Sequence, residues 1–173
     1  MGETFREKPC GIIRSETRKK KIREVEEMMK NTNRAESRNI WKNGMIGLAV
    51  GDALGNPIQF MSREEVRHRG DVTTMEAGGA YRTPEGTWTD DSAMALATLD
   101  SIRRLGKIVP EDIMRGFVRW YNAGEYIPFG QAFDMGMTCS SAIERFMRTG
   151  DWQTCGLTDE HSNGNGALMR ILP

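Results

Sequence analysis

Apolar residues along this chain recur at three- and four-residue intervals, and no segment alternates with period two. The pattern therefore predicts helices and no sheet. Ile22, Val25, Met28 and Met29 mark a short amphipathic stretch, set between the run Arg18-Lys19-Lys20-Lys21 and the acids Glu24, Glu26 and Glu27. It reads either as a solvated helix on a flexible extension or as a basic binding arm. A polar stretch from Asn31 to Asn39 separates it from the rest, which predicts an extension over residues 1–38 and a main body over residues 39–173.

The main body opens with Asn39, an expected N-cap for a helix starting at Ile40. Gly44, Gly47, Gly51 and Gly55 fall along one face of that helix. Glycine costs a helix about 1 kcal/mol relative to alanine, so the stripe predicts a neighbour packed close against it. Ser62-Arg63-Glu64-Glu65 reads as a capping box opening a short helix. Residues 70–88 are rich in Gly, Thr and Pro and predict a long loop, of a kind that often carries function. Thr89 or Asp90 then caps a helix to about Leu105, with Ala95, Leu96, Leu99 and Ile102 on one face and Gly106 as its stop. Pro110 opens the next, with Ile113, Phe117, Trp120 and Tyr121 inward and Gly124 at the end. Asp134 is the expected cap of a last helix, striped by Met135, Cys139, Ala142, Ile143 and Phe146 and stopped by Gly150.

Composition narrows the functional classes. The 173 residues suit one domain with a sizeable core. Twenty-four basic and twenty-four acidic residues cancel, so no global charge points to nucleic acid or to an acidic membrane surface. No apolar run approaches the roughly 18–20 residues of a membrane span, and the N-terminus carries no apolar signal region. Three cysteines, Cys10, Cys139 and Cys155, have no metal-type spacing and form an odd set; they read as reduced thiols in a cytoplasmic protein. Twelve methionines suit irregular gaps in a helical core.

Four groups could carry chemistry. Thr89-Asp90-Asp91 is either a capped, acidic first turn or a set of oxygen ligands for hard cations such as Mg²⁺ or Mn²⁺. Asp52 sits near a helix C-terminus, where the dipole disfavours an acid. It is either exposed or in need of a partner: a neighbouring helix N-terminus, an arginine or a metal shell. Asn163-Gly164-Asn165-Gly166 is either an ordinary helix-entry loop or a nest of backbone N–H groups for phosphate. Arg170 either contacts that phosphate or pairs with a buried acid. His68 and His161 are isolated and read as surface residues.

Four segments in order resemble the N-terminal part of the ADP-ribosylglycohydrolase family: Gly51-Asp52-Ala53-Leu54-Gly55, Gly86-Thr87-Trp88-Thr89-Asp90-Asp91-Ser92, Phe133-Asp134-Met135-Gly136, and Asn163-Gly164-Asn165-Gly166-Ala167-Leu168-Met169-Arg170. The resemblance covers about residues 40–173. It implies an all-α, orthogonal helical domain, incomplete at its C-terminus, and a cleft with two Mg²⁺ or Mn²⁺ ions. By that resemblance Thr89, Asp90 and Asp91 match metal ligands, with the acids also catalytic. Ser162, Asn163, Gly164, Asn165 and Asp134 match substrate-binding positions, and Asp52 and Arg170 supporting ones. The implied substrate is an ADP-ribosyl group on a protein or small-molecule acceptor, released by hydrolysis at the anomeric carbon. Such cleavage builds positive charge on the ribose, which metals and carboxylates offset. No membrane or nucleic-acid partner is expected.

Two departures from the family pattern bear on that expectation. Gln59 stands at a usual glutamate position; if an acid is required, Glu64 and Glu65 are the nearest replacements. The later family segment of the form Gly-Asp-Thr-Asp-Thr does not occur in these residues. The expectation is therefore weak metal binding and little hydrolysis by the chain alone, or binding of ADP-ribose without cleavage, or an inactive remnant, with a second chain able to supply the missing half.

Overall fold

The computed structural model describes residues 39–173 and, before them, Arg23. The expected helix around Ile22 to Met29 lies outside the described residues. The chain divides into two compact units, Met1–Ile40 and Trp41–Pro173. The elements below belong to the second, apart from the first two residues of the first helix.

Residues 39–55 are helical (α1), so Asn39 lies within the helix rather than capping it, a shift of the size usual at helix ends. A 3-10 turn, Asn56–Ile58, ends α1 with Pro57 inside it. Helix α2, Arg63–Arg69, forms on the expected capping box: Ser62 accepts from the Glu65 N–H, and the Glu65 carboxylate accepts from the Ser62 N–H. The loop from residue 70 to 88 is pinned by one antiparallel bridge, Gly78 to Thr83, and by buried Asn56, whose Nδ2 donates to Thr83 Oγ1 and to the Thr87 carbonyl.

Helix α3, Asp90–Leu105, is the centre of the unit. Helix α4, Pro110–Ala123, packs on it, and α5, Met137–Thr149, packs on α4. A 3-10 helix, Asn165–Arg170, returns against α3. The core is Ala93, Met94, Ala97, Phe117, Trp120, Ile127 and Ile143. Its α3 face is not the one the leucines mark. The N-terminal half of α3 is buried almost all round, and the inward line is Asp90, Ala93, Met94, Ala97 and Ser101. Small residues are there because α4 crosses closely: a methyl on Gly116 would stand 3.3 Å from the Ala97 Cβ. Leu96, Leu99 and Ile102 are only half-buried.

Glycine stops work as expected after α3, α4 and α5. At Gly124 the need is double: φ is +64°, and a Cβ would overlap the Gly130 backbone. The close neighbour expected along the glycine stripe of α1 is not found at three of its four positions among the described residues. Only Gly44 has a close neighbour, Leu172 Cδ2 at 3.7 Å, while Gly47, Gly51 and Gly55 face open space among the described residues. No strand and no helix long and apolar enough to cross a membrane occurs among the described residues.

Candidate active site

The start of α3 organises the site. Thr89 is its N-cap and accepts from the Asp91 N–H, so Asp90 and Asp91 become its first two residues. Asp52 explains how an acid tolerates the C-terminal end of α1. Its Oδ2 accepts from the Thr89 N–H at 2.9 Å, the Ser92 N–H at 3.1 Å and the Ser92 hydroxyl at 2.7 Å. The favourable N-terminus of α3 thus outweighs the unfavourable end of α1, and Asp52 ties the two helices.

Asp134 does not cap α5. That helix begins two residues later than the stripe suggests, on Gly136 and without a side-chain cap. Asp134 takes a left-handed backbone, φ +61°, and its carboxylate accepts from Gln59 Nε2 at 2.7 Å and from the Tyr81 hydroxyl at 2.7 Å. Asp and Asn tolerate this region better than other side chains, so the residue suits the turn.

These elements surround a cleft of about 910 Å³. Gln59, Asp90, Asp91, Asp134, Asn163, Gly164 and Asn165 all line it. Thr89 and Asp52 lie beneath the acids and do not line it. Ser162 is turned to Asp159, to which its hydroxyl donates. Arg170 is behind the loop: its guanidinium sits 4.7 Å over the Phe117 ring and donates to Met94 Sδ and Cys139 Sγ. Among the described residues Arg170 makes no ion pair; its surroundings are Phe117, Met94 and Cys139.

Glu64 and Glu65 cannot replace a glutamate at Gln59. Glu64 is exposed beside His68, and Glu65 is held in the capping box. The acid that Gln59 meets is Asp134. The sequence pattern also missed Tyr81, Thr138 and Cys139, which line the cleft from the long loop and the first turn of α5. The signal for Thr138 and Cys139 is in the glycines: a Cβ on Gly164 would stand 2.8 Å from Thr138 Oγ1, and one on Gly166 would overlap Cys139 Sγ. Gly164 and Gly166 are small because α5 presses on them. His161, though exposed, also lines the cleft.

Charge in the cleft is one-sided. Burial, then the negative charges of Asp134, Asp91 and Asp52, push the Asp90 carboxyl up to about 8. Burial, then Asp52, raises Asp91 as well. The hydrogen bond to Asp134 pushes the Tyr81 hydroxyl up to about 12. Among the described residues no group of three or more His, Cys, Asp or Glu side chains is set to hold a metal ion. The donor types nevertheless fit a hard divalent cation: a hydroxyl and two carboxylates on one turn, all oxygen, with mutual repulsion that such a cation relieves. They fit as part of a ligand set.

A helical domain whose central helix begins with paired acids in a cleft, faced by an Asn-Gly-Asn-Gly loop, defines the class. The ADP-ribosylglycohydrolase family model matches residues 33–173, and the chain belongs to that family. It is 38% identical over 133 residues to ADP-ribosylarginine hydrolase Tri1 of Pseudomonas putida, covering 76% of this chain and 34% of that protein. It is 37% identical over 129 residues to the ADP-ribosyl-[dinitrogen reductase] glycohydrolase of Rhodospirillum rubrum, covering 74% and 41%. A solved ADP-ribosylglycohydrolase-related protein complex superposes with a TM-score of 0.58 at 36% identity, over 75% of this chain and 39% of that one. The chain thus spans between a third and about two fifths of the length of these relatives.

Proposed function

We propose that residues 39–173 form the N-terminal portion of a hydrolase that removes ADP-ribosyl groups from modified proteins. The observation that carries the reading is a single cleft bringing Asp90, Asp91 and Asp134 together with Asn163, Gly164 and Asn165. The relatives named above, a hydrolase of ADP-ribosylarginine and a glycohydrolase of ADP-ribosylated dinitrogen reductase, support a protein acceptor. In this reading the loop of Ser162 to Asn165 receives the phosphates and ribose through backbone N–H groups and asparagine amides. Asp134 offsets the positive charge that builds on the ribose as the glycosidic bond breaks. Asp90 and Asp91, with Thr89 beneath them, would hold Mg²⁺ or Mn²⁺, whose charge would offset their repulsion and help to orient sugar and water. Trp88, anchored through its Nε1 to the Tyr126 carbonyl, limits water behind the acids. A cytoplasmic setting agrees with the free thiols of Cys139 and Cys155.

The test is release of free ADP-ribose from an ADP-ribosylated protein mixture by the purified chain with Mg²⁺ or Mn²⁺, against Asp90→Asn/Asp91→Asn. Release that vanishes in the double variant supports the reading; release that persists in it removes Asp90 and Asp91 from the chemistry. A second reading, ADP-ribose binding without cleavage, is favoured by the neutral Gln59 and by the small number of ligands around Asp90. Binding by calorimetry with no release, reversed by a chain carrying the rest of the family domain, would make this the first piece of a two-part enzyme.

A further inference from the structure

We propose that Gln59 is a positioning residue, holding Asp134 through one amide donor so that its carboxylate faces the cleft in a single orientation. The inference rests on the hydrolase reading above. Gln59 Nε2 and the Tyr81 hydroxyl each donate at 2.7 Å, one to each Asp134 oxygen. A carboxylate gripped at both oxygens cannot rotate, and it offers its remaining lone pairs to whatever enters the cleft. The three groups come from distant parts of the chain: the turn that follows α1, the long loop and the turn before α5.

Asp134 suits its left-handed turn, φ +61°, but Phe60, next to Gln59, also has a positive φ, +67°. A bulky aromatic in that region is strained, and such strain persists only where the surroundings enforce it. Tyr81 packs edge-on between Phe60 and Phe133, with centroids 6.1 Å and 5.2 Å away, which fixes its hydroxyl on Asp134.

This also explains why a glutamine serves at position 59. An ionised glutamate there would have no donor for Asp134, and the direct bond would need a proton shared between the two carboxyls or a cation between them. The cleft already carries Asp90 and Asp91, with Asp52 beneath them. The amide keeps the geometry, supplies the donor and removes one negative charge. In this chain Gln59 thus holds Asp134 in one orientation, and Gln59→Glu removes the donor that does so.

The test uses the full chain and two independent readouts. The first is the side-chain amide signal of Gln59 in ¹⁵N–¹H NMR. It is expected to move in Asp134→Asn, where asparagine keeps the left-handed turn. Adding ADP-ribose with Mg²⁺ should shift it in the parent chain and leave it unshifted in Asp134→Asn. The second is ADP-ribose release by Gln59→Glu and Gln59→Leu, each checked for folding by thermal melting. Both should lose turnover by about a hundredfold, the scale of a mispositioned group, with KM changed little. Gln59→Glu turning over as fast as the parent chain, or a Gln59 amide indifferent to both Asp134→Asn and ADP-ribose, overturns the proposal. If the parent chain releases no ADP-ribose, the hydrolase reading is what fails, and the amide signal alone decides for or against the grip on Asp134.

Discussion

Asp90 is the residue where sequence, burial and charge meet. Folding carries it to 5% exposure among three other acids and pushes its carboxyl from 3.8 to about 8. The folded state therefore holds the Asp90 proton more tightly than the unfolded chain does. Stability from this group is fully present below about pH 4 and is lost as pH rises toward 8. We expect Asp90→Asn to flatten that slope and to raise the melting temperature at pH 8 in the presence of a chelator. Mg²⁺ should narrow the difference by stabilising the parent chain. A parent chain whose melting temperature climbs between pH 5 and 8 under chelation would contradict the assignment. The same scale governs the loop: Gly166→Ala should cost about 1–3 kcal/mol by forcing a methyl into Cys139 Sγ. Adding Cys139→Ala should recover much of it, measured by urea unfolding.

At the level of elements, α1 and α3 are joined by one carboxylate. Asp52 satisfies two backbone N–H groups of the first turn of α3 and the Ser92 hydroxyl. Asp52→Ala leaves those donors without a partner in a largely buried place, a loss of about 1–3 kcal/mol. Urea titration should show it, and Ser92→Ala in the same background should add less than its own single effect, because the two share one network. The α3 start is legible from Thr89-Asp90-Asp91, and the ends of α3, α4 and α5 from Gly106, Gly124 and Gly150. Its inward face is not, because Ala97 and Ser101 face the core at a close helix crossing that a leucine would block.

At the scale of the whole molecule, the surface of the described residues is more apolar than the zero net charge suggests. Trp41, Ile46 and Val50 on α1 and Leu168, Ile171 and Leu172 at the other end of the chain are exposed, and Leu172 lies against Gly44. An exposed apolar area of this kind favours association. We expect the chain to self-associate as concentration rises, and Ile46→Lys/Ile171→Lys to shift sedimentation toward a single 19.5 kDa species. Unchanged sedimentation of parent and variant as monomers would contradict this.

The sequence by itself determined the helices of the main body, their glycine stops, the paired acids at the head of α3 and, through four short segments in order, the membership of the family. The helices and stops depend on residues within a turn or so of one another: glycine stops and the periodicity of apolar side chains. Only the tertiary structure decided the partner of Asp52, the setting of Arg170 between Phe117, Met94 and Cys139, and the grip of Gln59 and Tyr81 on Asp134. Gln59 and Tyr81 lie 75 and 53 residues from Asp134 along the chain. The contact depends on a left-handed turn at Asp134 and on the path of the long loop, neither of which leaves a periodic mark in the sequence.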